Sequence, residues 1–156
     1  MGKLIVSLAA VCTLLAPIAA LAAGTPSTSA VAASLCKQER VTMGTTNFNA
    51  AYGTNADKSN AYGKCVAKAA STAQQDVDNA AKACKAQLGA DADANAYGKC
   101  VSAKVQSATA QQASKAGSAA RSCRADLKAD KAAFAAKWGT GTSAFGKCVS
   151  SKSKSK

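Results

Sequence analysis

Cysteines carry the most evident chemistry of this chain. Six of its seven cysteines belong to one pattern, in which a cysteine followed by a cation precedes the motif [Asn/Ser]-Ala-[Tyr/Phe]-Gly-Lys-Cys-Val. The motif stands at 60–66, 95–101 and 143–149, and the cysteines that precede it are Cys36, Cys84 and Cys123. Cysteines at such repeated positions form structural disulfides in an oxidising compartment. The pattern therefore predicts a repeat protein in which each repeat is a disulfide unit.

Metal binding and thiol redox chemistry are the alternatives for these cysteines, and both fit poorly. The chain has no histidine and no C-x-x-C motif, and even the nearest of the six, Cys84 and Cys100, are far apart in sequence. Zinc sites and redox-active thiols typically use ligands or cysteines at short spacings. We therefore expect no metal site and no cofactor.

The other residue types that could do chemistry favour a protein that is not an enzyme. Without histidine, Ser-His and Cys-His couples are excluded. The Gly-Lys pair inside each motif lacks the frame of a phosphate-binding loop, and its glycine is expected to let two helices approach at the disulfide. The carboxylate pairs Asp76/Asp78 and Asp91/Asp93 lack a third ligand and are expected on a solvated helix face and in a loop. Aromatic residues recur at equivalent places and are expected to pack around the disulfides: Phe48, Tyr52, Tyr62, Tyr97, Phe134, Trp138 and Phe145.

Residues 1–22 have the features of a secretory signal peptide. Lys3 precedes an apolar run, Pro17 interrupts it, and Ala20-Leu21-Ala22 fits the small-x-small cleavage rule. Cleavage after Ala22 would leave six cysteines and a net charge of about +11, because it removes Lys3 and Cys12 from a chain of +12. A retained membrane anchor is the alternative, since the run approaches the length that spans a bilayer. We expect a secreted or cell-surface protein with no transmembrane segment in its mature chain.

The mature chain is expected to be one repeat domain between two low-complexity ends. Residues 23–31 predict a flexible leader and 151–156 a disordered basic tail, because neither can bury apolar surface. The domain spans 32–150, with repeats at about 32–68, 79–104 and 118–152. Its abundant alanine predicts a thin core, a weakness that disulfides offset.

Composition and capping residues predict an all-α fold. Segments 61–88 and 96–128 are rich in Ala, Lys and Gln, contain no proline and show no strand-like alternation. Asn60, Asn95 and Ser143 occupy N-cap positions, Asp130 can cap a short helix, and Gly89 can end a long one. We predict helices at about 30–42, 47–52, 60–88, 95–128, 131–138 and 143–152. The two longest would form an antiparallel hairpin, and the first and last helices would complete a small bundle at its open end.

Helix length restricts how the cysteines pair. Cys65 and Cys84 lie on one predicted helix, and Cys100 and Cys123 lie on another. At about 1.5 Å per residue each of these two pairs is separated by roughly 28 Å or more, whereas bonded cysteines have Cα atoms within about 7 Å. The pairings within repeats are then favoured: Cys36–Cys65, Cys84–Cys100 and Cys123–Cys148.

Positive charge is the one indication of function. A cation follows or precedes each of the six cysteines: Lys37, Lys64, Lys85, Lys99, Arg124 and Lys147. These cations either solubilise an alanine-rich surface or engage a polyanion. The leading hypothesis is a secreted, non-enzymatic structural or binding protein for anionic polymers (wall polymers or extracellular DNA) or other cell-surface components, without a specific nucleic-acid motif. The alternative is a membrane-active, antimicrobial-like basic helical protein, although alanine faces insert weakly.

One longer string covers most of the first repeat. It comprises Cys36-Lys37-x-Glu39, Phe48-x-x-x-Tyr52-Gly53-Thr54-Asn55 and the motif at 60–66, and it ends at Lys68. This string resembles a repeat of small secreted actinobacterial proteins of unknown function. The resemblance covers 32–68 well, 118–152 nearly as well, and 79–104 only at its ends. It implies a secreted bacterial repeat protein, and it implies no activity or site.

Overall fold

Alanine-rich segments between glycine, aspartate and asparagine boundaries form six helices. The structure, a computed structural model, describes residues 24–89, 91–141 and 143–154. Within these residues there is no strand, and the helices are α1 (Thr28–Met43), α2 (Thr45–Tyr52), α3 (Ala61–Leu88), α4 (Ala94–Ala129), α5 (Lys131–Trp138) and α6 (Ala144–Lys154). The predicted all-α fold is confirmed, with all six elements within a few residues of their expected bounds.

An antiparallel hairpin of α3 and α4 is the longest feature of the fold. Gly89 ends α3 with φ 85°, a backbone conformation that glycine adopts without a steric penalty. Cys84 and Cys100 are bonded near the turn. Further along the hairpin, the side-chain amide of Gln112 donates to Asp76 at 2.8 Å. The two long central helices are therefore joined both near the turn and well away from it.

Helix α1 lies against both helices of the hairpin. It runs antiparallel to α3, since Cys36 is bonded to Cys65 while Thr28, nearer the N-terminus, donates to Gln74, nearer the C-terminus. At its other end, the Thr42 hydroxyl donates to a backbone carbonyl of α4 at 2.9 Å. A Cβ atom on Gly117 of α4 would lie only 3.0 Å from the Thr42 side chain, so α1 and α4 approach closely at that glycine.

Helix α6 closes the bundle on α4 and also contacts α2. Cys148 is bonded to Cys123, and Lys152 forms an ion pair of 2.6 Å with Asp126. A Cβ atom on Gly146 would lie 2.4 Å from the backbone oxygen of Ala51 in α2. We expect the motif glycine to let two helices approach at the disulfide. Gly146 does allow a close approach, but to α2 instead of α4, the helix to which its disulfide is bonded. The expectation is wrong for the matching Gly63, whose Cβ would meet nothing within 4 Å.

The core is built mainly from small side chains. More than half of its buried apolar residues are alanine or cysteine. The larger ones are Val31, Leu35, Met43, Phe48, Val101, Val105, Phe134, Phe145 and Val149. Because alanine buries little area, each disulfide supplies a substantial share of the stability, roughly 2–4 kcal/mol. The disulfide-stapled antiparallel bundle expected from the sequence is thus confirmed.

Several predicted boundaries differ from the structure. Helix α1 starts inside the expected leader 23–31, because Ser27 caps it and Val31 is buried. Helix α6 continues to Lys154, inside the expected disordered tail 151–156, because Lys152 is held by Ser122 and Asp126 of α4. The predicted signal peptide at 1–22 and residues 155–156 lie outside the described residues.

Two of the expected N-caps are also different. Asp93 caps α4 in place of Asn95, accepting hydrogen bonds from the backbone amides of Asn95 and Ala96. Asn60 stands at the start of α3, but its side chain bonds Thr54 across the preceding loop instead of capping the helix.

Candidate anion-binding surface

Three disulfides fix the backbone next to six exposed cations. Their Cα–Cα distances are 5.9 Å for Cys36–Cys65, 5.9 Å for Cys84–Cys100 and 6.0 Å for Cys123–Cys148. These are the pairings within repeats that helix length favours. The six flanking cations are all exposed: Lys37, Lys64, Lys85, Lys99, Arg124 and Lys147. Each disulfide therefore presents an exposed cation beside both of its half-cystines.

These six cations do not converge on one point. Lys64 and Lys85 both lie on α3, and the 21 residues from one to the other correspond to roughly 30 Å along the helix. Lys85 and Lys99 belong to the disulfide near the hairpin turn, and the other cations belong to disulfides near its open end. A small ion cannot contact the cations at both ends of the hairpin, whereas an extended polymer can reach both groups.

Arg124 differs from the other five because it is engaged within the fold. Its guanidinium donates twice to the side-chain oxygen of Asn47 in α2, at 3.0 and 2.7 Å. Its Cζ atom also lies 5.5 Å from the ring centroid of Phe145 in α6. Arg124 thus connects three helices, and we assign it a structural contribution beside its charge.

A second group of lysines lines neighbouring concave surfaces along helix α6. Three adjoining concave surfaces of about 280, 600 and 570 Å³ border this helix. We call their union the α6 cleft, defined by its five lysines Lys68, Lys115, Lys147, Lys152 and Lys154. Serine and threonine hydroxyls line it between the lysines: Thr54, Ser71, Thr72, Ser114, Ser118, Ser122, Ser143, Ser150 and Ser153.

Lys68 lies where two of the three surfaces meet. Its Nζ donates to the Ser150 hydroxyl of α6 at 2.7 Å and lies 5.8 Å from the ring centroid of Tyr52. Lys68 and Ser150 line both the 280 and the 600 Å³ surfaces, and Lys115 and Ser153 line both the 600 and the 570 Å³ surfaces. These shared residues make the cleft continuous.

Glu39 is the one carboxylate among the described residues that line the cleft. It is 7 % exposed, and its Oε2 accepts a hydrogen bond of 2.5 Å from the Tyr52 hydroxyl. Burial raises the pKa of the Glu39 carboxyl, while the Tyr52 hydrogen bond and the charge of Lys68 oppose the rise. Burial and the neighbouring Glu39 also raise the pKa of Tyr52, so this hydroxyl remains protonated and continues to donate.

Three of the four candidate aspartates have structural partners. Asp76 and Asp78 accept from glutamine side chains, and Asp93 caps α4. Among the described residues, no group of three or more His, Cys, Asp or Glu side chains could hold a metal ion. Phe48, Phe134 and Phe145 are buried, while Tyr52, Tyr62, Tyr97 and Trp138 are partly buried against the same core. The aromatic side chains therefore pack as expected.

Two motif tyrosines share one arrangement beside their disulfides. The Tyr62 hydroxyl donates to the backbone oxygen of Ala33, three residues before Cys36, at 3.1 Å. The Tyr97 hydroxyl donates in the same way to Ala81, three residues before Cys84, at 3.4 Å. In the third repeat Phe145 has no hydroxyl, and Arg124 lies over its ring instead. Each of these hydrogen bonds thus joins the same two helices that the neighbouring disulfide links.

Only part of the cleft was predictable from the sequence. Lys147 is one of the predicted cations, whereas Lys68 and Lys152 follow the motif in their repeats and Lys154 belongs to the basic tail. Lys115 lies in the middle of α4, outside every motif. Glu39 belongs to the string of the first repeat, but its burial results from packing by α2 and α3, which the sequence does not reveal.

No family model, curated protein or solved structure matches this chain. The resemblance to an actinobacterial repeat therefore stays a prediction. Within the described residues, none of the helices has the length and apolar character needed to cross a membrane.

Proposed function

We propose that this protein is an exported, non-enzymatic binding protein that engages anionic polymers at the cell surface or outside the cell. The observation that supports this proposal most directly is that each disulfide presents an exposed cation beside both half-cystines. A covalent bond fixes the two backbones from which these cations extend. The resulting charges are spread over a distance that suits a polymer.

The overall charge balance supports the same proposal. Lysine and arginine together number 20 against 8 aspartate and glutamate residues. An excess of this size produces a positive potential that attracts polyanions and depends on salt. Export is supported by the signal-like residues 1–22 and by three disulfides, which persist mainly in oxidising compartments.

A salt-gradient elution from phosphocellulose tests this function. The mature protein is compared with a variant carrying Lys64→Gln, Lys85→Gln and Lys99→Gln. The control carries Lys82→Gln, Lys128→Gln and Lys131→Gln, which removes the same charge at exposed positions that are not next to a cysteine and do not line the cleft. We expect strong retention that falls with salt, with the first variant eluting earlier than the control.

The other outcomes are equally informative. Equal elution of the two variants would mean that net charge alone retains the protein and that the cations at the disulfides have no special role. No retention of the wild-type protein at moderate salt would exclude polyanion binding. Circular dichroism of all three proteins verifies that the helices are intact.

One observation favours the membrane-active alternative. Val41 is 82 % exposed on α1, beside the cations Lys37 and Arg40, and so combines apolar and basic character. Dye release from vesicles with anionic headgroups distinguishes the two functions. Release that is lost in Val41→Ser would support membrane activity, whereas binding without release supports the proposed function.

A further inference from the structure

The α6 cleft has the composition of a site for phosphate groups. Its cations are all lysines, and hydroxyl groups lie between them. Lysine is a common ligand of phosphate, because its ammonium is a compact point charge with three rotatable donors on a flexible stem. Hydroxyls add neutral donors and acceptors that tolerate the tetrahedral geometry of phosphate. No arginine is among the described residues that line the cleft.

The shape of the cleft favours a chain of anions over a single ion. From Lys147 at the α2 side, the lining continues through Lys68 to Lys115 and Lys154, where the three surfaces share residues. A single phosphate would contact one or two of these lysines. A chain that carries a charge on every unit could contact them in succession and displace several counterions.

Among the described residues that line the cleft, no free aromatic ring is available for stacking against such a chain. Tyr52 is the one aromatic residue among those described in the lining. Its hydroxyl is bonded to Glu39, its ring packs against Phe48 with centroids 5.0 Å apart, and Lys68 lies over it. Proteins that bind single-stranded nucleic acid use open aromatic platforms on which bases stack. The cleft therefore fits a backbone without bases.

We infer that the α6 cleft binds a phosphodiester-linked polyol chain, with Lys68, Lys115 and Lys147 each contacting a successive phosphate. This inference rests on the proposed function, since it names the polymer and its place on the basic surface. In this arrangement Lys68, already directed at Ser150 by a hydrogen bond of 2.7 Å, exchanges or shares that partner with a phosphate oxygen. The polyol hydroxyls contact the serine and threonine side chains of the lining.

The test measures binding of a fluorescent glycerol phosphate oligomer to the mature protein by anisotropy at several salt concentrations. The cleft variant carries Lys68→Gln, Lys115→Gln and Lys154→Gln, none of which flanks a disulfide. The control is the variant with Lys82→Gln, Lys128→Gln and Lys131→Gln, which has the same net charge. We expect the cleft variant to bind at least roughly tenfold more weakly than the control. Its slope of log K against log salt should fall by about 1.4, because the variant removes two of the three named phosphate contacts, Lys68 and Lys115, and each contact on a single chain contributes about 0.7.

A charge-preserving variant separates a lost contact from a folding defect. Lys68→Arg, Lys115→Arg and Lys154→Arg should restore most of the affinity, because phosphate also accepts from guanidinium groups. Equal weakening of the cleft and control variants would overturn the inference while leaving the proposed function intact. Failure of the wild-type protein to bind glycerol phosphate, polyglutamate and single-stranded DNA alike would overturn both.

Competition identifies the chemistry of the chain. Polyglutamate of matched charge should compete more weakly than the glycerol phosphate oligomer, and so should single-stranded DNA of matched length. Stronger competition by polyglutamate would overturn the assignment to phosphate. Stronger competition by single-stranded DNA would overturn the assignment to a chain without bases.

Discussion

The Tyr52 hydroxyl donates a hydrogen bond of 2.5 Å to Oε2 of Glu39 and so joins α2 to α1 at the floor of the α6 cleft. Asp126 is the equivalent acid of the third repeat, since both acids stand three residues after the first cysteine. Asp126, however, is exposed and paired with Lys152 at 2.6 Å. The same repeat position thus carries a buried, protonation-sensitive carboxyl in one repeat and a surface ion pair in the other.

Replacing Glu39 by glutamine should remove a pH-dependent loss of stability. Because burial raises the folded-state pKa of Glu39, the folded protein holds this proton more tightly than the unfolded chain does. The resulting stabilisation is complete below the unfolded pKa of about 4.3 and is lost as pH rises through the folded-state pKa. Since E39Q cannot ionise, the wild-type protein should lose stability relative to E39Q across this interval.

Urea unfolding of both proteins between about pH 3 and pH 8 measures this difference. Tyr52→Phe is the informative companion, because it removes a hydrogen bond that lowers the pKa of Glu39. In the Tyr52→Phe variant, the loss of stability that accompanies ionisation of Glu39 should occur at higher pH than in the wild-type protein. A difference between wild type and E39Q that stays constant or grows in favour of wild type with rising pH would contradict the prediction.

Substitution by alanine should have opposite effects on stability at two of the motif glycines. A methyl group at Gly146 would lie 2.4 Å from the backbone oxygen of Ala51, so Gly146→Ala must push α2 and α6 apart and should cost about 1–3 kcal/mol. Gly63 faces open space in the first turn of α3, so Gly63→Ala should stabilise by about 0.5 kcal/mol through helix propensity. Thermal or urea unfolding distinguishes them, and equal effects at both positions would show that the α2–α6 contact is absent in solution.

The helices were predictable because their signals are local. Alanine-rich runs without proline set α3 and α4, while Gly89, Asp130 and Gly139 mark helix ends by side-chain chemistry or backbone freedom. Disulfide pairing followed from helix length, since a rigid rod separates cysteines on the same helix. These features need only neighbouring residues or the geometry of one element.

The α6 cleft could not be predicted because it depends on contacts between repeats. Helix α2 of the first repeat packs on α6 of the third at Ala51 and Gly146, and nothing in the motif distinguishes Gly146 from Gly63. Lys115 reaches the cleft from the middle of α4, where no pattern marks it. Of the motif lysines, Lys147 lines the cleft, whereas Lys64 lies outside the described concave surfaces.

Cys84–Cys100 should be the first disulfide to open under mild reduction. Cys100 is partly exposed, whereas the other five bonded cysteines are at most 1 % exposed, and attack by an external thiol requires access to a sulfur atom. Alkylation and peptide mass spectrometry over a series of reductant concentrations should detect Cys84 and Cys100 first. Earlier labelling of Cys36 and Cys65 would contradict the exposure argument.

Removing this disulfide should weaken the protein without unfolding it. Its sequence separation of 16 residues is the shortest of the three, and closing a loop of this length contributes about 3 kcal/mol. The double variant Cys84→Ala/Cys100→Ala should therefore lose about that amount and keep the α1–α4–α6 end intact. Urea unfolding measures the loss, and circular dichroism shows whether helix content is retained. A larger loss for this pair than for Cys36→Ala/Cys65→Ala would contradict it.

Arg124→Lys should destabilise the fold although it preserves the charge. Lysine cannot reproduce the two hydrogen bonds from the guanidinium to Asn47 or its planar contact with Phe145. Because these contacts are exposed, the expected cost is about 0.5–1 kcal/mol. Arg121→Lys is the matched control, since Arg121 makes one exposed bond to Ser118 within its own helix, and it should leave the urea midpoint nearly unchanged. Both variants should elute from phosphocellulose with the wild-type protein, because both keep the charge. A selective loss of retention in Arg124→Lys would show that the guanidinium contacts the polymer in a way that a lysine charge does not replace.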